Sequence, residues 1–417
     1  MVAAIAVFAG ALALIASERV DRTKVALGAM AVVLVTGTIA QEAAIEAIDW
    51  NTLGLLAGMM IMVKITEPTG VYAWLAIHAG QRSRGRPFAV LLALAGTTAL
   101  LSAFLDNLTT VLLVVPITFL LADALDIDPI PLIVAEILMS NIGGTATLIG
   151  DPPNILIAGA TGLSFLEFIA NLTPIVLVTF GVVVGGLQLA FRSRLRVSPG
   201  ARDRLLELDP ASAIEDVDEL RRTVPILVLT ILAFFVHRAL GLEPATIAMA
   251  GATAMLLASR APVERSLAAV EWPTLFFFIG LFVIVGALEE RGAIAEVADG
   301  IASLTAGDRS AEILGIAWFS ALGSAVVDNI PFTAAMIPVV DSLQGPGRDD
   351  AYWWALSLGA CFGGNATIIA AAANVAAAGM ASRAGHPIGF VAFLRIGATA
   401  TAVSMVLVTA YLALRYL

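Results

Sequence analysis

The sequence predicts an all-α polytopic membrane protein made of two inverted repeats, each with a re-entrant hairpin and a broken helix. Three observations carry that prediction. Of 417 residues, 59% are hydrophobic and 13% charged, where soluble proteins average roughly 25% charged, and the mean hydropathy is +0.94. Apolar runs of about 17 to 25 residues, enough to span a bilayer, recur along the chain. Motifs of the first half return in the second at a fixed offset.

In order, the apolar runs cover 2–16, 25–41, 52–78, 88–121, 131–158 and 169–191, then 223–239, 245–258, 272–290, 311–341, 352–380 and 388–416. The first has no basic segment before it and no clear cleavage site, so it is expected to stay as a helix and not be removed as a signal peptide. Between the two sets lies 192–222, dense in arginine, aspartate and glutamate. It reads as a solvated linker with one short amphipathic helix.

Ile48-Asp-Trp-Asn-Thr52 returns as Val270-Glu-Trp-Pro-Thr274, Gly58, Glu67 and Gly70 as Gly280, Glu289 and Gly292, Ser102 to Asn107 as Ser324 to Asn329, and Pro116 as Pro338, all at an offset of 222. A constant offset over this many positions marks a duplication. Ile142-Gly-Gly-Thr-Ala-Thr-Leu-Ile-Gly-Asp-Pro-Pro-Asn154 returns as Phe362-Gly-Gly-Asn-Ala-Thr-Ile-Ile-Ala-Ala-Ala-Ala-Asn374 at 220, after a small loop deletion. Neither copy suits an ordinary helix. Prolines remove backbone donors, an acid facing lipid is costly, and broken backbone at membrane depth is tolerated only against protein or a cavity.

Arginine placement sets the topology. Arg19, Arg22 and Lys24, then Arg82, Arg84 and Arg86, then the linker, all belong inside, with the acidic loop 41–49 outside and the N-terminus outside. That requires an odd number of crossings before the linker, so one of the six runs turns back. The run 88–121 is interrupted at Asp106-Asn107, and its equivalent 311–341 at Asp328-Asn329. Both are read as re-entrant hairpins with those residues near the tips. The second half then enters from the other side, and Arg260, Arg265 and Arg383 fall inside. The expected organisation is a first repeat 1–191 (scaffold 1–87, transport elements 88–158), a cytoplasmic linker 192–222 and a second repeat 223–417 (scaffold 223–290, transport elements 311–380).

Candidate functional residues are the polar groups at membrane depth. Asn107, Thr109, Gly144, Thr145, Thr147, Asn154, Asn329, Gly364, Asn365, Thr367 and Asn374 supply amides, hydroxyls and bare backbone for a substrate; Asp106, Asp151 and Asp328 are the candidates for cation or proton coupling. These are hard oxygen ligands, suited to sodium or to a proton-bearing acid. Asp151 has no acidic counterpart, since Ala371 takes its place, and an unpaired buried acid suits a proton carrier. Glu136, also in an apolar run, is its candidate partner or a second relay. Threonines that bond back to helix carbonyls, and glycines that only allow close packing, are the plainer readings of Thr145, Thr147, Thr367, Gly144 and Gly364.

Other chemistry is excluded by composition. One cysteine, Cys361, and three scattered histidines leave no resident metal or cofactor to expect. The net charge of −10 and the lack of a basic patch with aromatics speak against nucleic acid. An intramembrane aspartyl hydrolase would need a Gly-x-Gly-Asp motif, which neither hairpin has, so the chain is expected not to be an enzyme.

Asp-Asn-Leu-Thr-Thr, the long Gly-Asp-Pro-Pro-Asn motif, Asp-Asn-Ile-Pro and Gly-Gly-Asn-Ala-Thr resemble the ArsB/NhaD permeases of the ion transporter superfamily. The likeness is strongest to the branch of arsenical pump membrane proteins and the melanosomal P protein. The resemblance runs over essentially the whole chain. It implies a fold like that of the divalent anion/sodium symporters, with an elevator-like transport part on a homodimeric scaffold in the inner or plasma membrane. It also implies that hairpin tips and helix breaks hold cation and substrate, and it makes a soluble ATPase subunit a candidate partner. The family pattern has Gly-x-Ser-Ala-Asn where this chain has Ala370-Ala-Ala-Ala-Asn374, which leaves the ligand set one hydroxyl short.

The expected function is proton-coupled efflux of arsenite or antimonite. Sodium/proton antiport is the alternative, and an anion channel the alternative of another class. Arsenous acid is mostly neutral near physiological pH, and no arginine lies in the core motifs to clamp a dicarboxylate or phosphate.

Overall fold

The computed structural model describes residues 1–17, 19–195, 200–344 and 350–417. Parts of the expected linker (196–199) and of the second transport segment (345–349) lie outside the described residues. The first repeat runs α1 (Val2–Ala16), α2 (Arg22–Val35), α3 (Gln41–Glu46), α4 (Trp50–Thr66), α5 (Val71–Arg82), α6 (Pro87–Ser102), α7 (Asn107–Leu125), α8 (Ile130–Gly144), α9 (Pro152–Thr161) and α10 (Phe165–Phe191). After α11 (Ala201–Glu207), the second runs α12 (Val217–Val236), α13 (Pro244–Ala258), α14 (Val263–Ala268), α15 (Trp272–Glu290), α16 (Ala293–Thr305), α17 (Arg309–Val326), α18 (Asn329–Gln344), α19 (Asp350–Gly363), α20 (Ala372–Arg383) and α21 (Phe390–Arg415). Each helix of one repeat has its counterpart in the other.

Helix starts follow from local chemistry. Asp21, Asp49 and Asp106 turn their carboxylates onto the first free N–H groups of α2, α4 and α7, as an N-cap acid does. Ser164 and Glu167 form a reciprocal capping box at α10. The predicted run 52–78 is in fact two helices. Pro68 and then Gly70, at φ +78°, separate α4 from α5, and Gly292, at φ +72°, does the same before α16. The apolar scan missed α16 because Glu296 and Asp299 lie within it.

Two close crossings relate the halves. A Cβ on Gly58 of α4 would lie 2.7 Å from the carbonyl carbon of Ala248 on α13, and one on Gly280 of α15 would lie 2.8 Å from that of Ala26 on α2. Ala26 and Ala248 are themselves 222 apart, so each repeat clasps the other at the same point. Within each half, Gly143 of α8 meets Ala99 of α6, and Gly363 of α19 would place a Cβ 2.5 Å from the Ala321 oxygen of α17.

Both expected hairpins are helix pairs, α6–α7 and α17–α18, whose turns contain Asp106 and Asp328. Their tips end in the interior: Asn107 is 6% and Asn329 2% exposed. α7 extends to Leu125 and is longer than the arm expected from sequence. Among the described residues it is one of four helices long and apolar enough to cross a bilayer, with Phe165–Phe191, Trp272–Glu290 and Phe390–Arg415. The linker is not simply solvated. Leu195, Ala201 and Leu205 are buried, Gln81 donates to the Leu205 and Leu208 carbonyls, and Arg204 donates to the Ala124 carbonyl at 3.0 Å.

Candidate functional site

Two interrupted helices meet at the centre. α8 stops at Gly144 and α9 restarts after Asp151, with Pro152 and Pro153 in its first two positions. Proline at a helix start sacrifices no bond, because those N–H groups have no intrahelical partner anyway. The carbonyls left free between the two pieces are paired by Asn154, which folds back to donate to Thr145 O at 3.1 Å and Thr147 O at 2.8 Å. Asn374 does the same in the second half, donating to Gly364 O at 2.7 Å and Thr367 O at 2.8 Å. These two asparagines are what make broken backbone stable here, since a buried carbonyl without a donor costs about 1–3 kcal/mol.

Each break is fastened to the hairpin of its own half. Thr147 donates to the Ala103 carbonyl and Ser102 to the Ser140 carbonyl at 2.6 Å. The counterparts are Thr367 to Ala325 O at 2.9 Å and Ser324 to Ala360 O at 2.6 Å. The two halves are then joined through side chains. Asn107 and Asn329 each donate to Oδ1 of Asp151 at 3.3 Å. Asn107 also donates to Asn141 Oδ1 at 3.0 Å, and Asn141 in turn donates to Asn365 Oδ1 and Asn374 Oδ1, both at 3.0 Å. Ser357 donates to Asn154 Oδ1 at 2.6 Å, with the Cys361 thiol 3.8 Å from the same oxygen.

Of the sequence candidates, Asn107, Asp151, Asn154, Asn329, Gly364, Asn365 and Asn374 fall in or against this network. Asp106 and Asp328 flank it, each within electrostatic reach of Asp151. Asp106 caps α7 through Thr109 N at 2.8 Å, whereas Asp328 forms an ion pair with Arg22 at 3.1 Å. The Thr145 hydroxyl bonds back to Asn141 O at 2.7 Å, the plainer of its two readings. Glu136 is not a partner of Asp151: its carboxylate takes a hydrogen bond from Thr118 of α7.

Sequence reasoning passed over Asn141, Ser102, Ser324, Ser357 and Arg22 as site residues. For Asn141 a signal existed, because its counterpart at an offset of 220 is Cys361, another small polar group in an apolar run. Nothing local marked Arg22, which lies 306 residues from Asp328.

Two buried polar atoms of the centre have no partner at hydrogen-bond distance among the described residues: Asp151 Oδ2, an acceptor with the Cys361 thiol nearby, and Asn365 Nδ2, a donor. Both side chains are 0% exposed. Unpaired groups at such depth are costly unless something else completes them. No arginine or lysine forms an ion pair with Asp106 or Asp151 among the described residues.

Two cavities approach the centre. One, of about 370 Å³, is lined by Val20, Arg22, Leu108, Asp328, Ile369 and Ala372 and so reaches both hairpin tips. The other, of about 420 Å³, is lined by Asp49, Gly159, Phe282, Glu289, Ala334 and Pro338. It stops short of the tips, and Gly159 lies directly against the Asp49 carboxylate on that side.

Residues 12–359 match the family model described as CitMHS, citrate transporter. The chain belongs to the CitMHS family. It is similar over its full length to a protein of Mycobacterium tuberculosis strain H37Rv named an uncharacterized transporter, with 42% identity over 423 residues covering 98% of that relative. The 46 kDa membrane protein of Mycobacterium leprae is 41% identical over 424 residues, covering 100% of this chain and 99% of that one. The P protein of Mus musculus is 34% identical over 480 residues, covering 94% of this chain and 58% of that longer protein. Among solved structures, the Alcanivorax borkumensis YdaH transporter, described as having an unusual topology, superposes with a TM-score of 0.62 at 15% identity, covering 89% of this chain and 86% of that one. The CitMHS chain is therefore a multi-pass membrane transporter with an all-α fold. The motif likeness to ArsB/NhaD permeases resolves to this family, with P proteins among its relatives.

Proposed function

We propose that this CitMHS protein is a secondary active ion transporter in which a proton or a sodium ion, bound at Asp151, drives the movement of a small inorganic solute. The observation that carries the reading is the environment of Asp151. One carboxylate oxygen is held by an amide from each hairpin, and the other is buried near the Cys361 thiol with no hydrogen-bond partner at bonding distance among the described residues. With no arginine or lysine paired to it among the described residues, its charge is left for a mobile proton or metal cation to balance. Because both hairpins grip the same acid, loading that ion bears on both gates at once.

For the transported solute we favour arsenite or antimonite, exported as the neutral oxyacid. The centre offers amides, hydroxyls and carbonyls, with an unpaired donor at Asn365 and an unpaired acceptor at Asp151, a set that suits a small hydroxylated solute. Sodium/proton exchange is the second reading, favoured by the three acids gathered at the hairpins and the first break. Citrate, named in the family's description, carries several carboxylates, and Arg22, which lines the cavity reaching the tips, is paired with Asp328. In this reading the hairpins and broken helices move against the clasped scaffold helices of a homodimer, and the cavity reaching both tips opens to the cytoplasm.

Proteoliposomes assayed in parallel for arsenite, antimonite, citrate, sodium-driven proton movement and chloride conductance test the proposal. Saturable arsenite or antimonite flux accelerated by a proton gradient is the expected result. Chloride flux that does not saturate would instead make it a channel, and absence of any ion-gradient dependence would overturn the coupling role of Asp151.

A further inference from the structure

The two hairpin tips are sequence counterparts, yet their acids are treated differently. Asp106 accepts a hydrogen bond from the Thr109 amide and forms no ion pair among the described residues. Asp328 accepts the Ile330 amide in the same manner, at 3.0 Å, and also faces the Arg22 guanidinium at 3.1 Å. Symmetry cannot supply the same partner to Asp106, because the residue equivalent to Arg22 is Pro244, at an offset of 222. The guanidinium is held in place by more than its charge. It lies 5.2 Å from the centre of the Phe277 ring on α15, a favourable cation–π arrangement. Arg22 begins α2, whose Ala26 is clasped against Gly280 one turn further on.

Other charged groups face the same region. Glu271, at the start of α15, is within electrostatic reach of Arg22, Asp106 and Lys64. Asp151 senses both Asp328 and Asp106, and Asp21 lines the cavity beside Arg22. The central acids are thus three carboxylates with one directly paired basic group. The side chains of that pair are 24% and 12% exposed for Arg22 and Asp328, partly shielded from the screening that makes surface pairs weak.

We propose that Arg22 is a tethered counter-ion: at the second hairpin tip it occupies the place that a mobile monovalent cation takes at the first. The inference rests on the proposed loading of a mobile cation at Asp151 and deepens it by extending ion binding to the hairpin acids beside it. The protein thereby carries one of its charge-balancing cations within its own chain, and the number of ions loaded from solution in each cycle is set by Asp106 and Asp151 alone. Because Arg22 stands on a clasped helix and Asp328 on a hairpin, the tethered ion stays behind whenever the hairpin moves. Asp328 must then exchange it for another neighbour.

The test is cation binding to the purified protein, read as the dependence of Tm on sodium or lithium at fixed pH against choline, and on pH at fixed sodium. A ligand that binds only the folded state raises Tm with a steepness set by the number of ions bound. Arg22→Gln is expected to add about one ion to that dependence. Arg22→Gln combined with Asp328→Asn is expected to return it to the wild-type value, and Arg22→Lys to leave it unchanged. An ion dependence in Arg22→Gln identical to wild type overturns the proposal, as does a double variant that keeps the extra ion. If Arg22→Gln fails to fold, the exchanged pair Arg22→Asp with Asp328→Arg carries the test: a folded protein with the wild-type ion dependence supports the tether, and an altered dependence or renewed failure to fold overturns it. The two readings fail separately. Wild-type protein that responds to no ion, beside an Arg22→Gln variant that gains a response, removes the mobile ion from both Asp106 and Asp151 and leaves standing only the counter-ion role of Arg22 at Asp328.

Discussion

Asn107 and Asn329 lie 222 positions apart in the sequence and donate to the same oxygen of Asp151, each at 3.3 Å. One acid therefore senses both hairpins, which is the geometry required if ion loading and gating are to be one event. A ligand can bias a two-state element only through a difference in its contacts between the states.

Asp151→Asn separates coupling from binding. The amide oxygen can still accept from Asn107 and Asn329 while its NH2 group turns toward the unpaired side, so the broken helix keeps its shape. Solute binding is expected to persist, and acceleration by a proton or sodium gradient to vanish. Normal gradient response in vesicles would make the acid structural.

Asp106→Asn and Asp328→Asn should differ, although the residues are counterparts. Asp106→Asn removes a charge that no arginine pairs among the described residues and is expected to weaken cation binding itself, seen as a rise in the sodium or proton concentration for half-maximal transport. Asp328→Asn leaves Arg22 without its partner and is expected to alter solute flux more than cation affinity. Identical effects on both parameters would refute that asymmetry.

Asn154→Leu and Asn374→Leu should each lower thermal stability in detergent. Each removes a donor to two carbonyls, Thr145 and Thr147 in one case and Gly364 and the part-buried Thr367 in the other, where Asn141 still donates to Gly364 O at 3.4 Å. Every carbonyl left unpaired costs about 1–3 kcal/mol. A wild-type Tm in either variant would mean that water reaches the breaks.

Gly58→Ala and Gly280→Ala test the clasp between halves. A methyl group at either position meets backbone that cannot retreat, at 2.7 and 2.8 Å, so each variant is expected to lose about 1–3 kcal/mol. Gly181→Ala in α10, with nothing within 4 Å, should be neutral or slightly stabilising.

Thiol labelling on a Cys361→Ala background checks topology. Val20→Cys and Ile369→Cys line the cavity that reaches the tips and should react from the linker side, as should Asp123→Cys in the last turn of α7. Labelling of Asp123→Cys only from the opposite side would mean that 88–121 crosses the membrane.

Much of the fold was legible because duplication writes each feature twice. Gly58 with Gly280, Gly70 with Gly292, and the two Asp-Asn tips could be matched by counting alone. Pairing across the halves could not. The contact of Arg22 with Asp328 depends on how two distant segments dock, and no local pattern encodes it. Asn141 has only the weaker signal of a cysteine counterpart, Cys361, and no repeated amide. α16 and the docked part of the linker escaped because charges interleave with apolar residues such as Ile294 and Leu205, whose burial depends on tertiary packing.

The replacement of Asp151 by Ala371 in the second half has a consequence for charge at the centre. If the pseudo-twofold held at the centre, a carboxylate at 371 would face the same pair of amides from the other side. Two acids would then compete for donors that suffice for one, with like charges opposed in a dry interior. Two facing acids there would coexist only by holding a proton between them. With Ala371 opposite Asp151, the two breaks share one acid between two hairpins, which gives the centre an asymmetry that two equivalent halves would not have.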